Sequence, residues 1–400
     1  MLDERGLTVT ASIASPERLR VGVIGFGWMG RVHARAYARL AQHYPTLAGA
    51  PELVAVADNA SDDRLAAAAQ AFGFRDVHAD WRELVARDDI DVISVTGPNF
   101  IHRDVSVAVA EHGKHLWVEK PAGRNSAETR QIAAAVTAHG VQSAAGFNYR
   151  NAPAVERARQ LIADGELGTI RQVRIRLLAD YAAHPEGALT WRYQNEWSGS
   201  GVAGDLVSHG IDLARYVVGE VEQVFADTAI FIPTRPLPSG VATGHGSRGS
   251  GEHGPVENED YLAVLLRFQD GARGVLESCR TAIGEQCNYG IEIHGDRGSL
   301  AWDFRRMGEL QTSLGQGYEN AFYRTEFVGV ESGEFGHYQP AGAIAMSYDD
   351  LKVIEAGRLV RSILTGSPVG ATIHDAVIAA DLVDAMLESV ETGTWTRTTG

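Results

Sequence analysis

Along the first third of the chain, short apolar runs alternate with longer stretches in which apolar positions recur every three or four residues. Leu19–Ile24 (LRVGVI), Glu52–Ala57 (ELVAVA), Asp91–Val95 (DVISV) and Lys114–Val118 (KHLWV) are short and mostly apolar, as strands buried on both faces should be. Between them, Arg31–Leu40 sets Val32, Ala36 and Leu40 on one helical face and Ser61–Phe72 is an Ala-rich helix. Asp80–Ala86 reads as a short helix, and Ile101–His112 as a helix closed by Gly113. This alternation predicts a parallel sheet with right-handed crossovers. The polar stretch Gln42–Pro51 is expected to be a lengthened loop.

From about Phe147 the pattern changes. After a helix at Ala152–Ala163 come strand candidates at Ile170–Tyr181 and Val221–Ile232. Asp260–Ile283 is expected to form a hairpin turning at Asp270-Gly271, and Ile291–Phe304 another turning near Gly295–Gly298. Few helices interrupt them until Asp349–Thr365 and His374–Thr392, which have amphipathic helical patterns. The Gly-, Pro-, Ser- and His-rich stretch Pro233–Glu259 reads as a long loop, either covering a substrate or another subunit or simply a disordered insertion. The expected architecture is an α/β nucleotide-binding domain over residues 19–147. An α+β domain with a large, mainly antiparallel, open-faced sheet follows over 148–400, serving substrate binding and oligomerisation. Residues 1–18, mixed in charge and lacking an apolar core, are expected to be a flexible tail rather than a secretory signal.

Composition narrows the class. The 400 residues carry a net charge of −15, which disfavours nucleic acid as a partner. No apolar stretch approaches the roughly 20 residues of a membrane helix. Two cysteines, Cys279 and Cys287, make neither a disulfide framework nor a tetrahedral metal cage, so no metal is expected and a cytoplasmic setting is.

The candidate chemistry lies at strand ends. Gly25-Phe26-Gly27-Trp28-Met29-Gly30 (GFGWMG) follows the first strand and opens the first helix. There, glycines allow a tight turn, close approach of a pyrophosphate and helix–strand packing, while free N–H groups of the helix face the anion. A purely structural Gly-rich turn would look the same in isolation. Asp58, ending the second strand beside Asn59, can accept from ribose hydroxyls and would repel a 2′-phosphate, favouring NAD over NADP. An ordinary strand-end turn residue is the plain alternative, and Arg64 is not far away. Thr96, Pro98, Asn99, His102, Glu119 and Lys120 fall at the same carboxyl edge, where open parallel sheets bind ligands. Farther along, Gly199-Ser200-Gly201 leads to Asp205, His209 and Asp212, spaced i, i+4 and i+7 on a predicted helix. A carboxylate one turn from a histidine can orient it and raise its proton affinity, and a base titrating near neutrality suits proton removal from a carbinol. Lys120 could stabilise the developing alkoxide. A solvated helix face is the plain alternative.

These segments resemble the Gfo/Idh/MocA oxidoreductases: GFGWMG, TGPNFIH at Thr96–His102, EKP at Glu119–Pro121, GFNYR at Gly146–Arg150 and GSGVAGDLVSHGIDLARY at Gly199–Tyr216. The resemblance spans most of residues 19–395. It implies a catalytic group of Lys120, Asp205 and His209, with His209 as general base, and Asn99 and His102 lining the nicotinamide ribose. It also implies a cis bond before Pro121, and dimers or tetramers formed through the open sheet face. Ser200 departs from a glycine common in the family. Within the family, TWRYQ at Thr190–Gln194, GPVENED and NYGIEIHGDRGSL resemble the levoglucosan-dehydrogenase branch, which oxidises a pyranose at C3; amino-sugar and cyclitol dehydrogenases of aminoglycoside biosynthesis are similar too. Tyr149, Trp191, Arg192 and Glu257 are the candidate sugar contacts, against core aromatics and a loop charge as the alternative. A cofactor recycled in place between two sugars, and a sensor that has lost catalysis, are rival readings; the sensor would be expected to lack the lysine or histidine that this chain keeps.

Overall fold

The computed structural model describes residues 18–59, 63–239, 247–315 and 318–398. The expected tail at 1–17, the start of the helix expected from Ser61 and the side chain of Arg64 lie outside the described residues. The first layer comprises β1 (Arg18–Ile24), α1 (Trp28–His43), β2 (Ala50–Ala57), α2 (Asp63–Ala71), β3 (Asp76–His78), α3 (Trp81–Val85), β4 (Val92–Val95), α4 (Asn99–Glu111), β5 (His115–Val118), α5 (Ser126–His139) and β6 (Ser143–Ala145). Its six strands are all parallel, in the order β3-β2-β1-β4-β5-β6. The order reverses between β1 and β4, and a crevice opens there at the carboxyl ends. Both sheet faces are buried: Val54, Ile93 and Leu116 pack on one, Val21, Val23 and Val56 on the other. Helix α5 and strand β6 (SAA) have no counterpart in the periodicity reading, because alanine and serine mark neither face of an element.

The second layer contains α6 (Pro153–Ala163), β7 (Ile170–Leu178), α7 (Asn195–Ser198), α8 (Ser208–Val217), β8 (Val221–Ala229), β9 (Thr234–Pro238), β10 (Gly249–Pro255), β11 (Tyr261–Phe268) and β12 (Arg273–Cys279). It continues through β13 (Asn288–Gly295), β14 (Gly298–Asp303), β15 (Glu309–Leu314), β16 (Arg324–Phe327), α9 (Tyr348–Thr365), α10 (Ile373–Thr392) and β17 (Thr396–Arg397). Nine strands pair in the order β16-β15-β14-β13-β7-β12-β11-β8-β17. Every pairing is antiparallel except β7 with β12. Alternation decides the faces: Leu262, Val264 and Leu266 of β11 point into the core, while Leu265 is 46% exposed on the open face beside Val275 at 44%. Part of the expected 233–259 loop is the antiparallel hairpin β9–β10.

The last two helices join the layers. Each opens with a reciprocal capping box, Ser347 with Asp350 and Thr372 with Asp375, and each closes at a left-handed glycine, Gly366 or Gly393. Such a cap contributes about 1 kcal/mol. Val353, Ala356 and Leu359 of α9 pack with Tyr37, Leu40 and Trp117 of the nucleotide layer. Arg35–Asp349 and Arg39–Asp350, each 2.6 Å, tie α1 to α9 along the rim. Among the described residues no helix is long and apolar enough to cross a membrane.

Candidate active site

The GFGWMG turn is built for close approach. Gly25 is left-handed (φ 86°), and a side chain there would meet Gly97 N at 2.6 Å. One on Gly30 would strike the Gly25 carbonyl at 2.1 Å. At Gly27, by contrast, a Cβ would meet nothing within 4 Å, and no side chain caps the start of α1. An uncapped helix N-terminus above open space fits a pyrophosphate. Asp58 stands at the end of β2 and accepts from Phe26 N at 2.6 Å, placing a carboxylate beside the turn as ribose binding requires. Thr96 Oγ1 donates to the Gly25 carbonyl (2.6 Å) and locks the two strand ends together. The ring of Phe26 packs edge-on against Phe72 and Phe74, so only its backbone faces the turn. Trp28 is 65% exposed and stacks on Tyr348, whose hydroxyl reaches Met29 Sδ at 3.8 Å. Asn59 is exposed at the edge and Pro98 precedes α4 as its cap. Asn99 donates to the Ser198 carbonyl at 3.0 Å. His102 is buried with its ring between two carbonyls, Pro121 O at 2.8 Å and Gly97 O at 2.9 Å; it ties the turn after β4 to the segment carrying Lys120.

The Lys120-Pro121 peptide is cis. Lys120 Nζ donates to Asp205 Oδ1 (2.9 Å) and to the Asp205 carbonyl (2.6 Å), while Tyr181 OH donates to Asp205 Oδ2 (2.6 Å). His209 follows four residues on, buried, with Tyr149 tilted against it at 4.5 Å and Phe147 edge-on at 6.0 Å. Two sequence expectations change here. The segment Ala203–Val207 is a π turn leading into α8, so the i, i+4, i+7 alignment of an ordinary helix is displaced. Asp212 is instead buried in an ion pair with Arg150. The proton affinity of His209 is also lowered rather than raised: burial holds its pKa well below the ordinary 6.5, and Lys120 lowers it further, outweighing Asp205. The imidazole is therefore neutral at pH 7 and able to accept a proton.

Glu119 lies behind this group. Its carboxylate meets His33 Nε2 at 2.8 Å and Lys352 Nζ, and Lys352 also reaches Glu355, which accepts from Trp117 Nε1 at 2.6 Å. Burial would raise Glu119, but Lys352 and His33 hold it well below the usual carboxylate range; Glu355 is pushed up to about 7 by burial and His33 down to about 4. A side chain on Gly146 would strike Glu119, so this glycine makes room for the carboxylate.

A pocket beside Asp205 is walled by Tyr181, Trp191, Arg192, Tyr193 and Arg280. Of the four sugar-contact candidates, Trp191 and Arg192 line it, and Tyr149 reaches the site through its ring contact with His209. Glu257 is exposed and accepts from Asn195 N at 2.9 Å, capping α7. The three residues after it, passed over in the sequence, are buried and hold the pocket together. Asn258 Nδ2 donates to Arg192 O and Ser198 Oγ, both at 2.9 Å. Glu259 Oε1 accepts from Gly201 N and Ala203 N, both at 2.9 Å. Asp260 pairs with Arg280 at 2.7 Å. Their signal was the unbroken polar run ENED entering an apolar strand. Both glycines of GSG are required: a side chain on Gly199 would lie 2.1 Å from Arg124 O, and one on Gly201 2.1 Å from Glu259 O. Ser200 between them accepts from Gly204 N at 2.9 Å and so caps the π turn, which gives the departure from glycine a structural use. Glu259→Ala leaves two buried N–H groups unpaired and is expected to cost about 2–4 kcal/mol in urea unfolding; turnover should fall more than NAD binding, because this turn carries Asp205.

Residues 19–147 match the profile described as oxidoreductase family, NAD-binding Rossmann fold, and residues 155–301 match the GFO/IDH/MocA C-terminal domain. Levoglucosan dehydrogenase of Pseudarthrobacter phenanthrenivorans is 35% identical over 382 residues, covering 95% of this chain and 98% of that protein. Myo-inositol 2-dehydrogenase of Thermotoga maritima is 25% identical over 93% of this chain and 96% of its own length. A structure of levoglucosan dehydrogenase in complex with NADH and levoglucosan superposes with a TM-score of 0.89 at 33% identity, covering 96% of this chain and all (100%) of that one.

Proposed function

This chain belongs to the Gfo/Idh/MocA oxidoreductases with an NAD-binding Rossmann domain, and from that premise we propose that it oxidises a ring secondary hydroxyl of a sugar or glycoside to a ketone, at C3 of a pyranose. One observation carries the reading: Lys120 and Asp205 are joined at 2.9 Å beside the buried His209, at the carboxyl edge of the nucleotide sheet. The open space at Gly27, the uncapped start of α1 and the Asp58 carboxylate are the groups that would hold NAD. NAD, when bound, accepts the hydride.

The protein's own residues handle the proton. The substrate hydroxyl loses the proton on its oxygen to the imidazole of His209 as a hydride leaves the carbon that bears that oxygen. The Lys120 ammonium binds the carbinol oxygen and stabilises its growing negative charge. Asp205 holds Lys120 in place and is itself held by Tyr181. The 35% identity to levoglucosan dehydrogenase along nearly the whole chain favours a pyranose. The match to myo-inositol 2-dehydrogenase supports a cyclitol as the second reading, since its ring carbinols pose the same chemistry. The partly exposed Leu265 and Val275 on the open sheet face support a homodimer or homotetramer, and the free Cys279 and Cys287 suit the cytoplasm.

The test is NADH formation with levoglucosan, glucose, inositols and aminoglycosides, each with NAD⁺ and with NADP⁺. NAD-linked turnover of one ring alcohol establishes the activity. Stoichiometric NAD binding with no turnover across the panel would instead favour a sensor. Asp58→Ala should raise the KM for NAD⁺ about tenfold or more and narrow the preference over NADP⁺, because the acid that binds a free ribose repels a 2′-phosphate.

A further inference from the structure

The β9–β10 hairpin sends a cation, Arg235, into the wall of the substrate pocket. Arg235 of β9 is fully buried (0% exposed) and, among the described residues, has no carboxylate within salt-bridge distance. Its guanidinium donates to Ala182 O (2.5 Å) and His184 O (2.9 Å), and lies 4.3 Å above the ring of Tyr193. Arg280, fixed by Asp260, lies 4.7 Å from the same ring. Tyr193 is thus flanked by two guanidinium groups, one from the hairpin and one from the segment after β12. The backbone adds to the grip: Leu189 N donates to Pro236 O at 2.8 Å, and Glu257 N, just after β10, donates to Tyr193 O at 2.9 Å. A buried guanidinium without an acid partner is costly, and here two carbonyls and an aromatic ring offset part of that cost while Nε stays without a hydrogen-bond partner.

We propose that Arg235 is a specificity-determining positioning residue: by clamping Tyr193 it fixes the Trp191–Tyr193 wall of the substrate pocket, so the hairpin governs recognition of the sugar and not cofactor binding or the hydride step. The inference rests on the proposed dehydrogenase reading for its substrate, but not for its structural content. Arg192 and Trp191 belong to the same 3₁₀ turn as Tyr193, so a shift of the clamped ring moves both of them at the pocket.

The experiment compares the wild-type enzyme with Arg235→Met and Arg235→Lys. Methionine keeps the bulk but loses every donor. Lysine keeps the charge but neither the fork nor the flat stack. Both variants are expected to raise the sugar KM about tenfold or more, with kcat changed less than about threefold and the NAD⁺ dissociation constant unchanged. Hydrogen exchange at the Leu189 and Tyr193 amides of NADH-loaded protein should accelerate in both. If Arg235→Met does not fold, Arg235→Lys carries the test. Wild-type KM and wild-type exchange in a folded variant would overturn the proposal, as would kcat, KM and NAD⁺ affinity all falling together, the mark of a general structural role. If the wild-type protein oxidises no ring alcohol, the dehydrogenase reading fails, and the exchange comparison still decides the role of Arg235.

Discussion

Replacing His209 by alanine is expected to lower kcat by about a hundred- to ten-thousandfold while leaving NAD⁺ affinity within a few-fold of wild type. Alanine removes the group placed to take the hydroxyl proton and disturbs none of the turns expected to hold the nucleotide. The pH profile of the wild-type enzyme provides a sharper test. Burial and the nearby Lys120 both disfavour the imidazolium, so the base form persists below the ordinary histidine pKa of 6.5. Protonation abolishes the base, so kcat/KM should fall on acidification with a midpoint below 6.5. A limb centred at or above that value, or near-normal turnover in His209→Ala, would remove His209 from the mechanism. The same shift has a stability counterpart. A buried neutral histidine contributes stability above its unfolded pKa, and this is lost as the pH falls from there towards its lower folded value.

The second large effect is expected from Lys120→Met. Methionine fills similar space but offers no charge to a developing alkoxide, and loss of such a donor typically costs about a hundred- to thousandfold in kcat. It also frees Asp205 from the ion pair while leaving the Tyr181 hydrogen bond in place. Because Lys120 is one of the influences holding His209 down, its removal should move the acid limb of the residual activity upward in pH. That direction separates an electrostatic role from a steric one: a variant that merely distorted the site would lower kcat without moving the limb. Steady-state rates across the acid range, with NAD⁺ binding measured separately, are the check.

Much of the nucleotide layer was legible because its elements announce themselves. Strands buried on both faces leave continuous apolar runs, and the Gly25–Gly30 turn has both flanks in place. Helix α5 and strand β6 were not legible, since SAETRQIAAAVTAH and SAA carry little contrast between faces. In the second layer the hairpin turns at Asp270-Gly271 and Gly295–Gly298 could be read directly, whereas the parallel β7–β12 pair could not: residues more than a hundred positions apart leave no local trace. The site shows the same divide. Lys120, Asp205 and His209 stand out as residue types in recognisable runs. That the Asp205 carboxylate serves Lys120 and Tyr181 depends on a π turn invisible to a 3.6-residue repeat. Tyr181, Asn258, Glu259 and Arg280 converge from three separate loops, and Glu257 was singled out where its three successors hold the pocket.

The Lys352–Glu119 pair has a consequence for anyone wishing to recombine such enzymes. Glu119 immediately precedes the lysine at the reaction centre, yet its counter-ion comes from α9, more than two hundred residues later. An excised nucleotide-binding half would keep a carboxylate in its interior with its cation gone, and breaking such a pair is commonly worth about 3–5 kcal/mol. A chimera that grafts residues 19–147 onto a foreign sugar-binding half must therefore bring α9 along. On the ribosome, too, the centre reaches its final electrostatic state only after the segment bearing Lys352 has been made.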